Sequence, residues 1–260
     1  MFDNTLESRR KIERLEKNYL DNISFLMQSD IEKLIVGLNS KDSIREEWIH
    51  FLNSNEDKRM SELSRGAERI FSWLFNQFGV PNSSPIGADM FFETHDAFIH
   101  IDVKSAQTNN GGDVNGQLTV EKSQTSYRGN VIPTRGKNKG QVRPYSGNLP
   151  VYYTKSNGKR KICLTYFIAI LYNAETLDIE WIKVVCMPNG LLYNTYGDTI
   201  LAPGKTTTEV RYRYRNNGTF NLIEDNPSRV NVLYWNPNMT QDIANMFTDL
   251  RDIYNNGEEF

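Results

Sequence analysis

The chain has 260 residues, 38% hydrophobic and 24% charged, with a net charge of −2. That length supports one sizeable core, or at most two, and the composition excludes fibrous and low-complexity classes. The two cysteines, Cys163 and Cys186, each lie inside an apolar run, which excludes a disulfide framework and reads as free thiols in a reducing compartment.

The opening residues MFDNTLESRRKIER carry no apolar core for a signal peptide. The longest apolar stretch, Ile162 to Tyr172, is about half the ~20 residues a membrane span needs. A soluble, cytoplasmic protein with no membrane partner is expected. Leu6, Ile12 and Leu15, then Leu20, Ile23, Leu26 and Met27, recur at helical spacing. Asp30 can cap a further helix carrying Ile31, Leu34, Ile35 and Leu38. Ser43 with Glu46 forms a capping-box pattern that opens a short helix through Trp48 to Leu52.

These elements make an N-terminal helical region over residues 1–58, a candidate for dimer or DNA contact, with a polar linker from Asn53 to Arg59. Residues 59–260 read as one domain. A helix over SELSRGAERIFSWLFNQFG, residues 61–79, places Ile70, Phe71, Trp73, Leu74, Phe75 and Phe78 on a broad apolar face, with Gly79 as its C-terminal cap. Pro81 to Pro85 is a turn-rich connection.

Residues 86–106, IGADMFFETHDAFIHIDVKSA, contain two alternating segments flanking Thr94, His95 and Asp96, a hairpin pattern. On its second strand Phe98, His100, Asp102 and Lys104 share one face, while Ile99, Ile101 and Val103 share the other. A turn centred between His95 and Asp96 sets Asp89 directly opposite Asp102. Cross-strand Cβ atoms lie only about 4.5–5.5 Å apart, so two carboxylates there repel unless a proton or a cation lies between them. A hard divalent cation with oxygen ligands fits that geometry. Lys104 points the same way, its ammonium within reach of an attacking water or a scissile phosphate. Phosphodiester hydrolysis needs a metal to polarise the phosphate and a cation to steady developing charge.

The Ile/Val face is expected to pack onto the Trp73-bearing helix, and Glu68 to project from that helix as a third acid. His100 shares the face of Asp102 as a packing or a site residue. His50 and His95 have no partners in view, and three His with two scattered Cys do not make a zinc site. The other acid-x-Lys match, Glu56-Asp57-Lys58, sits in the polar linker with no strand around it.

The arrangement Asp89–x12–Asp102-x-Lys104, on a hairpin preceded by a helix bearing Glu68, resembles the PD-(D/E)xK nuclease superfamily. Within it the chain looks most like a type II restriction endonuclease. Asp89 matches the first acid, Asp102 the second and Lys104 the motif lysine, while Ala88 stands where the motif name has proline. Glu68 matches a helix acid that is frequent but not general. The match covers residues 62–107.

The resemblance implies a restriction-endonuclease-like α/β fold, a mixed central β-sheet flanked by helices. It implies Mg²⁺ held by Asp89 and Asp102, with Lys104 orienting or deprotonating the attacking water, and no small-molecule cofactor. The expected reaction is hydrolysis of both strands of double-stranded DNA at a short sequence, leaving 5′-phosphate and 3′-hydroxyl ends, by a homodimer sharing the symmetry of its site. Two rivals stay open: a nuclease of the same superfamily in repair, nicking or structure-specific cleavage, and a non-catalytic DNA-binding protein.

From Gln107 to Leu149 the chain is dense in Gly, Asn, Gln, Ser, Thr, Lys and Arg, long for a structureless loop; it is functional, disordered, or built of short hairpins. Lys104 to Lys161 holds 11 Lys and Arg against two acids, whereas the rest holds 19 basic and 30 acidic residues. That asymmetry suits a polyanion. Candidate DNA contacts here are Gln107, Asn109, Asn110, Asn115, Gln117, Gln124, Arg128, Arg135, Lys137, Asn138, Lys139, Gln141 and Arg143, to base edges or to phosphates.

Strands return at Ile162–Tyr172, Ile179–Met187, Val210–Arg215 and Val230–Tyr234. On the third of these Arg211, Arg213 and Arg215 share one face, opposite Val210, Tyr212 and Tyr214. Such a row suits phosphate or guanine contact, or protects an edge strand by charge. A short helix, Asp242 to Ile253, ends the chain.

Overall fold

The structure, a computed structural model, describes residues 3–39, 66–75, 80–81, 88–215 and 217–257. The expected Ser43–Leu52 helix, the linker at 53–59, His50, Phe78 and Gly79 lie outside these residues. Helix α1, Leu6–Ser29, runs unbroken through both N-terminal apolar repeats; the Thr5 side chain caps it by accepting from Ser8 N. Asp30 closes α1, and its carbonyl accepts from Leu34 N in α2, Ile31–Asn39.

Helix α3 covers residues 66–74. Its Phe71 is buried, as is Phe75 just beyond, but Trp73 is 62% exposed, which corrects the expected apolar face. Residues 71 and 75 lie one turn apart on one stripe, and a residue midway between them falls on the opposite side of a 3.6-residue helix. Contact with the hairpin runs instead through Phe75, whose ring lies 6.4 Å from that of Phe92.

The strands, in chain order, are β1 (Val80–Pro81), β2 (Met90–Glu93), β3 (Ala97–Gln107), β4 (Gln117–Glu121), β5 (Arg128–Val131) and β6 (Arg143–Ser146). They continue with β7 (Tyr152–Thr154), β8 (Arg160–Tyr172), β9 (Ile179–Met187), β10 (Leu201–Pro203), β11 (Glu209–Arg213) and β12 (Val230–Trp235). The central sheet has the order β1-β2-β3-β8-β9-β12, with β7 beside the start of β8. It is mixed: β3 and β8 run parallel, and the other pairs are antiparallel. β8 is buried on both faces from Ile162 to Tyr172, which is why its sequence reads as one continuous apolar run.

The segment 107–149 resolves into short strands. β4 joins β10 and β11 in a second sheet ordered β10-β11-β4, while β5 and β6 form a separate hairpin. The arginine-bearing β11 is therefore central in its sheet, and the edge-strand reading does not hold. The expected C-terminal helix is broken into α4 (Gln241–Met246) and α5 (Thr248–Gly257); Phe247 at the break is buried against Trp181.

Alternation separates the two faces of the central sheet. α1 covers the face of Tyr166, whose hydroxyl donates to Glu16 O at 2.9 Å. Asp102 pairs with Phe167 and Lys104 with Ala169, so both point to the other face, where the second sheet and Phe247 lie. Lys183 is wholly buried on this side, donating to Val114 O at 2.8 Å and to the Tyr214 hydroxyl. α1 itself is tied down by charge: Arg229 Nη2 lies 2.8 Å from Glu16 Oε2 and 3.4 Å from Glu13 Oε1, all three side chains fully buried. No helix among the described residues is long and apolar enough to cross a membrane.

Candidate active site

The β2–β3 ladder pairs Met90 with Ile101 and Phe91 with His100, so the next rung sets Asp89 against Asp102, the register read from the sequence. The carboxylate of Asp89 turns back to the opposite strand, accepting from Val103 N at 2.7 Å through Oδ2. Asp89 is exposed, whereas Asp102 is 5% exposed. Two neighbouring acids thus sit in different surroundings, one wet and one dry.

Burial raises Asp102 to about 6; the Lys104 ammonium pulls it down, and the charges of Asp89 and Glu121 push it up. Lys104 Nζ lies 2.6 Å from Asp102 Oδ2 as an ion pair. Lys104 reaches over Phe167, its ammonium 5.8 Å from the ring centre, and remains partly exposed.

A third side chain completes the set. Gln124 Nε2 donates to Asp102 Oδ1 at 2.7 Å, and Gln124 Oε1 accepts from Lys104 Nζ at 3.0 Å. Gln124 ends a 3-10 turn, Lys122–Gln124, whose N-cap is Glu121 in a reciprocal capping box. The sequence reading put Gln124 among base readers; the structure buries it under the acid and the lysine. Its signal in the sequence is slight, because only the Glu121-x-x-Gln124 box marks the turn.

Glu68 is half-buried on α3, but it does not join Asp89 and Asp102 in a three-acid cage: among the described residues no three His, Cys, Asp or Glu side chains converge on a possible metal position. His100 packs among Phe91, Phe98 and Tyr153, its Nε2 2.9 Å from the Tyr153 hydroxyl. Burial lowers His100 to about 4, which keeps the ring neutral. His95, expected without a partner, lies 3.2 Å from Asp96 on the exposed turn.

The candidate DNA contacts divide into two groups. Arg128 begins the β5–β6 hairpin, and Arg135, Lys137 and Lys139 occupy its tip; all four are exposed and unpaired among the described residues, as is Arg213 on β11. Asn109 and Asn110 are exposed on the turn after β3. Asn138 and Gln141 are exposed at the hairpin tip as well, and the remaining candidates are committed to the protein. Asn115 donates to Met246 O at 2.7 Å, Gln117 to Gly112 O at 3.1 Å, and Arg143 to Thr206 O at 3.1 Å. Arg211 pairs with Asp113 at 3.1 Å, Arg215 with Asp249 at 2.7 Å, and Gln107 bonds Tyr172. A polar side chain already satisfied inside its own loop must break those bonds before it can read a base.

Comparison with known proteins agrees with this geometry. No curated protein sequence matches the chain. The fold is similar to the restriction endonuclease BglI, in a crystal structure bound to its DNA recognition sequence, with a TM-score of 0.64 and 15% identity over 87% of this chain and 94% of that one. It is also similar to the tetrameric restriction endonuclease SfiI bound to cognate DNA, with a TM-score of 0.62 and 14% identity over 88% of this chain and 86% of that one. The family model for the N-terminal domain of the type II restriction enzyme MwoI matches residues 9–176, spanning Asp89, Asp102 and Lys104, and that for its central domain matches residues 179–235. The chain belongs to the MwoI family of type II restriction enzymes.

Proposed function

We propose that the chain is a Mg²⁺-dependent type II endonuclease that hydrolyses both strands of duplex DNA at a short recognition sequence, leaving 5′-phosphate and 3′-hydroxyl ends. The observation that carries this reading is the buried Asp102–Lys104–Gln124 set beside the exposed Asp89, at the end of a hairpin on the central sheet. The residues fit a hard divalent cation: the carboxylates of Asp89 and Asp102 share one rung of the hairpin, with the single ammonium of Lys104 beside them. Asp89 and Asp102 would hold Mg²⁺, which when bound neutralises charge on the scissile phosphate and acidifies water.

The chain's own residues do the rest. Lys104, tethered by Asp102 and Gln124 yet open to solvent, steadies charge on the phosphate and orients the attacking water. The exposed Arg128, Arg135, Lys137 and Lys139 carry the hairpin against the phosphate backbone, and Arg213 extends that contact on β11. A two-fold dimer would match a palindromic site; light scattering with and without DNA measures that state.

The test is cleavage of a long sequenced DNA by the wild type and by Asp102→Ala, with Mg²⁺ and with chelator. Discrete fragments are expected from the wild type with Mg²⁺ only, and at least about a 10³-fold slower reaction from the variant. A smear would replace the sequence-specific reading with a general nuclease. Intact DNA under every condition, with binding retained, would leave a DNA-binding protein.

A further inference from the structure

We propose that Gln124 is a positioning residue that sets the geometry of Asp102 and Lys104 and ties both to the arginine-bearing sheet. The inference rests on the endonuclease reading of the same site. Gln124 is 8% exposed, and both ends of its amide are engaged. Nε2 donates to Asp102 Oδ1 at 2.7 Å; Oε1 accepts from Lys104 Nζ at 3.0 Å and from Glu121 N at 3.0 Å. One planar amide therefore fixes the acid and the lysine relative to each other and to the backbone at the end of β4.

This link has a direction. With Oδ1 of Asp102 engaged by the amide, the carboxylate cannot rotate freely, and Oδ2 is turned to the Lys104 ammonium 2.6 Å away. Lys104 on its own is a flexible stem that loses rotamer freedom when held, and two acceptors hold its ammonium. The Glu121 end of β4 pairs with Glu209 of β11, and the strand runs on to pair Thr119 with Arg211 and Gln117 with Arg213. Glu121 N thereby links the β11–β4 pair to the amide that orients Asp102 and Lys104. Side chains in this supporting position cost about 10–100-fold in metal affinity or activity when replaced.

The experiment compares wild type, Gln124→Met and Gln124→Glu on a duplex carrying the site identified from wild-type fragment ends. Gln124→Met keeps the shape without the hydrogen bonds. Gln124→Glu keeps an acceptor for Lys104 and Glu121 N but turns an oxygen toward Asp102 Oδ1. Steady-state cleavage gives kcat and KM, anisotropy with Ca²⁺ in place of Mg²⁺ gives the Kd for DNA, and thermal unfolding checks the fold. Expected for both variants is a kcat about 10–100-fold lower, with KM, Kd and Tm close to wild type. A kcat within twofold of wild type in Gln124→Met would overturn the proposal. So would a joint fall of kcat, DNA affinity and Tm in both variants, which would make Gln124 a packing residue. Absence of cleavage by the wild type would instead sink the endonuclease reading.

Discussion

Two clusters in this molecule gather acids around one base, and they are built to opposite ends. Glu13, Glu16 and Arg229 are all fully buried, and several elements supply hydrogen bonds to them. Glu13 accepts from Leu222 N at 2.7 Å, Glu16 from Asn189 N at 2.7 Å, and Arg229 Nε donates to the Tyr196 hydroxyl at 3.0 Å. Asp89, Asp102 and Lys104 share the same charge balance, but Asp89 is exposed and Lys104 is partly exposed. Closed charge holds α1 to the sheet; open charge at a sheet end can take a ligand. The difference lies in exposure, not in residue type.

The largest expected effects separate the clusters by readout. Asp102→Asn removes a carboxylate that burial already holds at about 6, so it abolishes cleavage by at least about 10³-fold while urea unfolding shows stability unchanged or raised. Arg229→Met does the converse. It strands two buried glutamates and costs about 3–5 kcal/mol of stability, read as a lower urea midpoint, while the protein that stays folded keeps its cleavage rate. If Asp102→Asn unfolds the chain, or Arg229→Met leaves the midpoint in place, the division into open and closed clusters is wrong.

How legible each cluster is in the sequence follows from the same difference. The hairpin could be read because period-two alternation fixes its register, and the observed ladder carries Asp89 to Asp102 as expected. Gln124 could not: its partners lie 20 and 22 residues away, brought together by a turn that shows only a weak capping pattern. Nothing in the sequence marks Glu13 and Glu16 for burial, because charged helix residues ordinarily face water. They are buried only because Arg229, 216 residues from Glu13, arrives from the start of β12. Trp73 and the break at Phe247 were hidden for a related reason. Composition marks a helix as apolar without saying which stripe meets the sheet or where another ring will interrupt it.

Lys183 sharpens the contrast, because it is buried with no acid paired to it among the described residues. Burial pushes its ammonium well below the usual lysine range, and the Arg215 charge adds to this. An unfolded lysine near 10.4 therefore binds the proton more tightly than the folded one. Stability rises with pH between the folded and unfolded values, and the cost is fully present below both. Lys183→Met removes that cost without orphaning its partners, since the Tyr214 hydroxyl already donates to Val114 O at 2.7 Å. The variant should be more stable by about 1–2 kcal/mol at pH 7, and its advantage in urea should narrow as the pH approaches 10. A gap that widens with pH, or a destabilised variant, would mean that the rings of Trp181 and Tyr214 hold the ammonium favourably.

The mildest test concerns charges that are open but carry no chemistry. Arg135, Lys137 and Lys139 stand exposed at the tip of the β5–β6 hairpin, without an ion pair among the described residues. If they touch phosphates, each releases counterions on binding, and the logarithm of affinity falls with the logarithm of salt by about 0.9 for each contact. Replacing all three by Gln should flatten the salt dependence of DNA binding by roughly 2.7, weakening cognate and random duplexes alike and leaving kcat at saturating DNA unchanged. Loss of discrimination between the two duplexes, with the salt slope intact, would instead make the tip a reader of bases. The open cluster at Asp102 would then be served by a hairpin that selects the sequence as well as gripping the strand.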